Sequence, residues 1–258
     1  MTVAICNNMS VLVTSGVVLR AVNYRETSRI LTLFSRDRGR ITVSAKGCLR
    51  PKCRERAATE QFTLGEYGLS ERACRFYLNT ACIENAHYNL RFDIDRLALA
   101  TYFSELCESV LNEEEPQPEL FDLLASMLDA LCDEKTNLAL ARLFFEVKAM
   151  DILGFRPELS SCAACGGGLS EKLWFSVSSG GVVCEACKPE AADAKAILPG
   201  AAALLRQVLG WEIECMSVLK PAPAVMENLE QAWRPFLKWH LERTYKIDGF
   251  MDKLKGYS

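Results

Sequence analysis

The chain has 258 residues, half of them hydrophobic and 24% charged, with a formal net charge of −3. That balance fits a water-soluble protein with apolar residues enough for more than one core. No run reaches the ~18 uninterrupted apolar residues of a membrane span, so no membrane partner is expected. The opening MTVAICNNMSVLV lacks the basic start of a signal peptide, which predicts a cytoplasmic protein. The twelve cysteines are then expected to be thiols or metal ligands rather than disulfides.

Residues 11–85 read as β structure. Val11 to Val22, Ser28 to Phe34, Gly39 to Ala45, Gln61 to Leu69 and Cys74 to Ile83 are short apolar-rich runs separated by polar clusters. Five such runs predict a small barrel, of OB or SH3-like type. From Phe92 the period becomes helical. Leu99, Tyr102, Phe103, Leu106 and Val110 mark a first amphipathic helix, and Leu120 to Leu131 a second. A third, about Asn137 to Leu153, is apolar nearly all round and reads as the buried centre of a bundle. Gly154 and Pro157 end it. Helices resume near Pro199 and from about Pro223 to Tyr245, where Pro235 predicts a kink or a restart. The end of the last helix is only weakly basic, with Arg243, Lys246, Lys253 and Lys255 interleaved with Glu242, Asp248 and Asp252.

Between the helical stretches lies Cys162-x2-Cys165, then eighteen residues, then Cys184-x2-Cys187. Two CxxC turns facing each other complete a tetrahedral four-sulfur shell for one structural Zn2+. Leu173–Ser178 and Gly181–Val183 around Ser179-Gly180 predict the hairpin of a zinc ribbon. Such a module should unfold locally without its metal while the barrel and the bundle survive. Four thiolates leave no open position for substrate, which argues against a catalytic metal. Cysteines 6, 48, 53, 74, 82, 107, 132 and 215 show no ligand spacing.

Charge is distributed unevenly. Residues 1–85 hold 13 Lys/Arg against 7 Asp/Glu, and the remainder 17 against 26. The excess is sharpest in Arg36, Arg38, Arg40, Lys46, Arg50, Lys52, Arg54 and Arg56, which are the candidate DNA-binding residues. Such cations on a barrel hold a nucleic-acid backbone by pairing with its phosphates. Arg29, in an apolar strand near Glu26, is expected to have a structural partner instead. Phe62, Tyr67, Phe76 and Tyr77 could stack bases, but aromatics in strands are more often core and are given no weight. No phosphate-binding loop, dinucleotide fingerprint or HExxH is present. With two histidines only, His87 and His240, imidazole-based catalysis is not expected, and the chain is read as no enzyme.

Taken together, several segments resemble the RecO family: GVVLR from Gly16, YRETSRILTLFSR from Tyr24, then GR from Gly39, AKG from Ala45, RPK from Arg50 and QFTL from Gln61. ILGFRPEL from Ile152, leading into Cys162, is similar to the RecO approach to its zinc module. The resemblance implies an α+β protein with an OB-fold DNA-binding domain at 1–86 and a helical domain in two parts, 87–158 and 195–258. A four-cysteine zinc-ribbon insertion would occupy 159–194. It implies a recombination mediator that binds single- and double-stranded DNA and anneals complementary strands in the nucleoid. It further implies cooperation with RecR and with the single-strand-binding protein SSB to load RecA. Some family members lack the zinc cysteines, so the metal would not carry the shared activity. The acidic, hydrophobic-ended tail of SSB needs a cation beside an apolar pocket. Arg142 on the third helix is the candidate over Lys148, although Glu146 at i+4 offers it a structural pair.

Two other readings use the same features. One is a ribbon-and-barrel interaction protein acting on RNA or on a transcription or translation complex. The other is a metalloenzyme.

Overall fold

A computed structural model describes residues 10–245 of the chain. Cys6, Lys246, Lys253, Lys255, Asp248 and Asp252, and the side chain of Arg243, lie outside the described residues. Two compact units divide the chain, Met1–Glu134 and Lys135–Ser258. Among the described residues no helix is long and apolar enough to cross a membrane.

The first unit begins with five strands: β1 (Ser10–Tyr24), β2 (Ser28–Ser35), β3 (Gly39–Ala45), β4 (Leu64–Arg72) and β5 (Arg75–Asn85). They form a closed barrel in the order β1-β2-β3-β5-β4. The long first strand pairs antiparallel with both β2 and β4, and β3 meets β5 in parallel. This is the OB type of closure. Alternate residues fill the interior, among them Val18, Leu31, Leu33, Val43, Tyr67 and Leu69, each 0% exposed. The fourth strand starts at Leu64, later than the apolar run from Gln61 suggests. Phe62 takes a left-handed conformation, φ 70°, which breaks the extended run while its ring stays buried.

Two helices complete this unit, α1 (Ile94–Val110) and α2 (Pro118–Leu131). All five residues of the first helical stripe are buried on α1. Asp93 caps α1 by accepting the N–H groups of Asp95 and Arg96. On α2, Phe121 meets Phe34 of the barrel edge to face at 5.4 Å. At the β2–β3 turn Gly39 has φ +64°, and a Cβ there would run into the backbone of Glu115. His87 is buried, and its ring nitrogens lie 2.7 Å from the Phe62 carbonyl and 2.9 Å from an Asp129 carboxylate oxygen.

The second unit is built on α3 (Leu138–Ile152), α4 (Pro199–Gly210) and α5 (Pro223–Tyr245). As expected, α3 is buried nearly all round. The last helix runs through Pro235 without interruption. Between α3 and α4 lies a small sheet ordered β7-β6-β8, from β6 (Leu173–Ser176), β7 (Gly181–Val183) and β8 (Lys195–Ile197). The hairpin is the expected one, with its first strand two residues shorter. The third strand falls in an Ala-rich stretch that carries no strand signal. Asn228 of α5 holds it: its amide oxygen accepts the Leu198 N–H at 2.7 Å and its NH2 donates to the Ala196 carbonyl at 3.1 Å. Phe175 of β6, 1% exposed, packs edge to face on Phe236 of α5, which in turn stacks on Trp233. The small sheet therefore shares its core with the helices.

The end of α2 depends on one side chain that the sequence does not advertise. A helix leaves its last carbonyls unpaired and carries partial negative charge there. Arg96 of α1, nearly buried, donates to the carbonyls of Leu131, Asp133 and Glu134 at 2.9, 2.7 and 2.8 Å, and its Nε to Asp93 at 3.2 Å. Replacing Arg96 by Met removes three donated hydrogen bonds at once. We expect a loss of about 2–4 kcal/mol in urea-unfolding stability, and a lysine in its place, with one nitrogen, to recover only part of it.

Candidate nucleic-acid groove and metal centre

Strand alternation that sends Val43 and Phe76 inward sends Ser44 and Tyr77 outward across the β3–β5 seam. On this outer face lies a groove of about 530 Å³ lined by Ile30, Thr42, Ser44, Lys46 and Tyr77. The β1–β2 loop closes it on one side with Tyr24 and Arg25, and the β4–β5 turn on the other with Cys74 and Arg75. In OB barrels the β2–β3 face between these two loops is where oligonucleotides bind. Backbone contacts hold the loops in place. The Leu49 N–H donates to the Thr27 carbonyl at 3.0 Å and the Gly47 N–H to Ser28 Oγ at 3.2 Å, which ties residues 46–50 to the β1–β2 loop.

The eight cations of the basic segment fall at two ends of the β2–β3 hairpin. Arg36, Arg38 and Arg40 surround its turn. Arg36 grips Asp122 of α2 with two parallel hydrogen bonds of 2.9 and 2.8 Å, and this pair holds the Asp122 carboxyl below its usual range. Arg40 donates to the Glu108 carbonyl at 3.1 Å and lies 3.9 Å from Glu113. Arg38 is exposed. At the opposite end, Lys46, Arg50, Lys52, Arg54 and Arg56 are all exposed, and Lys46 reaches the groove. Arg29 is structural as expected: it pairs with Glu60 at 2.8 Å, with Asn23 and Thr59 also bound.

Of the four strand aromatics, Phe62, Tyr67 and Phe76 are core, whereas Tyr77 is half-buried and lines the groove. The sequence reading sets Tyr77 aside with the other aromatics and passes over Arg25 and Arg75. Both are isolated in sequence and become neighbours of Lys46 only when the barrel closes. The signal that could have found them is their position beside the two loops that an OB topology assigns to ligand binding.

In the second unit, the sulfurs of Cys162, Cys165, Cys184 and Cys187 all lie within 4.8 Å of one another. A tetrahedral metal with bonds of about 2.3 Å requires edges of about 3.8 Å, and Cys165 and Cys184 are 4.0 Å apart. Gly166, φ +71°, lets the first knuckle turn back, where its N–H donates to the Cys162 carbonyl at 2.8 Å. The second knuckle closes likewise, from the Lys188 N–H to the Cys184 carbonyl at 3.1 Å. Burial pushes the Cys162 thiol up, but the backbone N–H groups of Cys184, Cys165 and Ala164 aimed at its sulfur outweigh that and bring it down to about 6. Hydrogen bonds shared with Cys165 and Cys184 push Cys187 up to about 12. Four sulfurs so crowded cannot all ionise without a cation among them. The donor set fits a structural metal ion.

Arg142 lies between two carboxylates of its own unit, Glu146 at 3.7 Å and Glu230, and Glu146 also accepts the Trp233 indole N–H at 3.1 Å. Lys148 donates to the Leu209 carbonyl at 3.0 Å. His240 is sandwiched by Phe155 and Phe236, and burial lowers its pKa.

Comparison with known proteins agrees with this architecture. Residues 9–81 match the family described as Recombination protein O N terminal, and residues 91–247 that described as Recombination protein O C terminal. A protein of Desulfitobacterium hafniense named DNA repair protein RecO is 35% identical over 242 residues, spanning 92% of this chain and 88% of its own. Proteins of the same name from Pelotomaculum thermopropionicum and Desulforamulus reducens are 34% and 30% identical, over 92% and 93% of each chain respectively. By these matches the chain, with its five-stranded OB-like barrel, helices and four-cysteine cluster, belongs to the RecO family of DNA repair proteins.

Proposed function

We propose that this protein binds single- and double-stranded DNA on the outer face of its barrel and acts as a recombination mediator. It anneals complementary strands and works with RecR on SSB-coated DNA to load RecA, with no covalent chemistry of its own. The observation that carries the reading is the groove between the β1–β2 and β4–β5 loops, with Arg25, Lys46 and Arg75 around it. The exposed cations Arg50, Lys52, Arg54 and Arg56 extend the same positive end. Arg36 and Arg40 are held by acidic or carbonyl partners within their own unit, so their part in DNA binding is secondary to that of the 46–56 loop. An acidic SSB tail reaching Arg142 would have to displace Glu230, which makes any binding there a competition.

Replacing Lys46, Arg50 and Lys52 together by alanine tests the DNA reading. Each phosphate contact adds about −0.9 to the log–log salt slope on duplex and about −0.7 on single strands. The triple variant should therefore bind all sequences more weakly, with a slope shallower by about 2–3 on duplex. It should also lose annealing of SSB-coated complementary strands. Wild-type affinity and slope in that variant would move the site elsewhere, and tighter binding to RNA than to DNA would favour the RNA reading.

The ion we propose at Cys162, Cys165, Cys184 and Cys187 is one structural Zn2+. The support is the four-sulfur geometry with backbone N–H groups directed at Cys162, and no position on the ion is left for substrate. Because Phe175 of β6 packs into α5, losing the ion should weaken the whole Lys135–Ser258 unit rather than the ribbon alone. Replacing Cys184 by serine should abolish zinc in the purified protein by elemental analysis. It should also speed hydrogen exchange through β6, β8 and α5 while leaving β1–β5 protected. Acidification should release the ion in the same way, since its ligands must be deprotonated to bind.

A further inference from the structure

The groove does not end at Tyr77. Beyond it lies a second depression of about 290 Å³ lined by Ser70, Arg72, Leu78 and Asn79, and the two share Ser44, Lys46 and Tyr77 as their common wall. The Lys46 ammonium lies 4.7 Å over the centre of the Tyr77 ring. A cation meant for phosphate and an aromatic face therefore stand in contact on the ridge between two small-ligand-sized hollows.

We propose that Tyr77 is the stacking platform that distinguishes single-stranded from duplex DNA. This rests on the reading of the groove as the DNA site. In the free protein the ammonium covers the ring. When a strand enters, Lys46 moves to a phosphate, and the uncovered ring takes the neighbouring base, with one hollow for the nucleotide on each side. The exchange replaces one exposed cation–π contact by a charge pair and a stacked base, and stacking on an aromatic is tolerant of sequence because every base has a π face. A duplex keeps its base faces inside its own stack. It can use Arg25, Lys46 and Arg75 but not the ring. Ser44 and Thr42 beside the ring, and Asn79 beyond it, offer small polar groups to base edges without filling the space a base needs.

The test uses the full-length protein with three labelled probes: a mixed-sequence single strand, an abasic sugar–phosphate strand of equal length, and a duplex. Tyr77→Leu should weaken binding to the normal single strand about tenfold, within the range of a lost base–aromatic stack. It should leave the abasic strand and the duplex within about twofold. Tyr77→Phe should bind as the wild type does, since the face and not the hydroxyl is used. Tyr77→Trp gives an independent optical readout, because the four native tryptophans, Trp174, Trp211, Trp233 and Trp239, all lie in the second unit. Its added fluorescence should be quenched by the normal strand and not by the abasic one. Equal weakening on all three probes in Tyr77→Leu would reduce the ring to a prop for Lys46 and overturn the stacking role. So would undiminished single-strand binding, or absence of quenching in Tyr77→Trp. If Lys46→Ala combined with Arg25→Ala and Arg75→Ala binds all three probes as the wild type does, the groove itself is not the DNA site, a failure distinct from the loss of stacking alone.

Discussion

Two register pairs close the barrel, Val43 with Phe76 and Ser44 with Tyr77. Every other seam is antiparallel and longer. If this one opened, β3 and β5 would each present a row of unpaired backbone groups, and the candidate groove would be cut in half along its floor. What holds so short a seam is the packing behind it: Val43 and Phe76 sit in one buried cluster with Leu31, Tyr67 and Leu69. The Tyr67 hydroxyl reaches across to the carbonyls of Ala58 and Thr63 at 2.9 and 3.2 Å, so that even the polar atom in this core is satisfied. Core packing thus fixes which side chains can share the outer face.

That dependence explains what the sequence reveals and what it hides. Strands and helices show as periodicity, a local property, and the five strands and the main helices are legible that way. The two CxxC pairs are legible because zinc imposes its own spacing. The third strand of the small sheet is not, because Lys195–Ile197 is made a strand by its neighbour β6 and by Asn228, not by its own composition. Arg96 escapes notice for a related reason, since its three carbonyl partners lie more than thirty residues away. The eight clustered cations are visible as a run. That Arg36 and Arg40 are engaged around the β2–β3 turn while Arg38 and the cations at 46–56 stay exposed depends on where Asp122, Glu113 and the Glu108 carbonyl come to rest.

The two ends of the hairpin therefore serve different physical purposes. Around the turn, Arg36 pairs with Asp122 of α2, while Arg40 binds the Glu108 backbone carbonyl of α1 and lies near Glu113, so these two cations are engaged within their own unit. At the other end, no acidic side chain comes close to Arg50, Lys52, Arg54 or Arg56 among the ion pairs of the described residues, and their positive potential extends into solvent. In the second unit the four cysteines are joined to the helices through Phe175, Phe236 and Trp233, so the metal centre and the helical core stand on common ground.

The pairing of β1 with β4 joins Ser10 to Glu71, a separation of roughly sixty residues. On a ribosome adding about 5–20 residues per second, the first strand waits on the order of 3–12 s for that partner. During this interval a fifteen-residue strand, with Val11 and Val13 on its outer face, has β2 along only part of its length. The intervening stretch to emerge is the most cationic in the chain, and its mutual repulsion disfavours association between nascent copies. The residues proposed to hold DNA in the finished protein would in this way act first as gatekeepers of its synthesis.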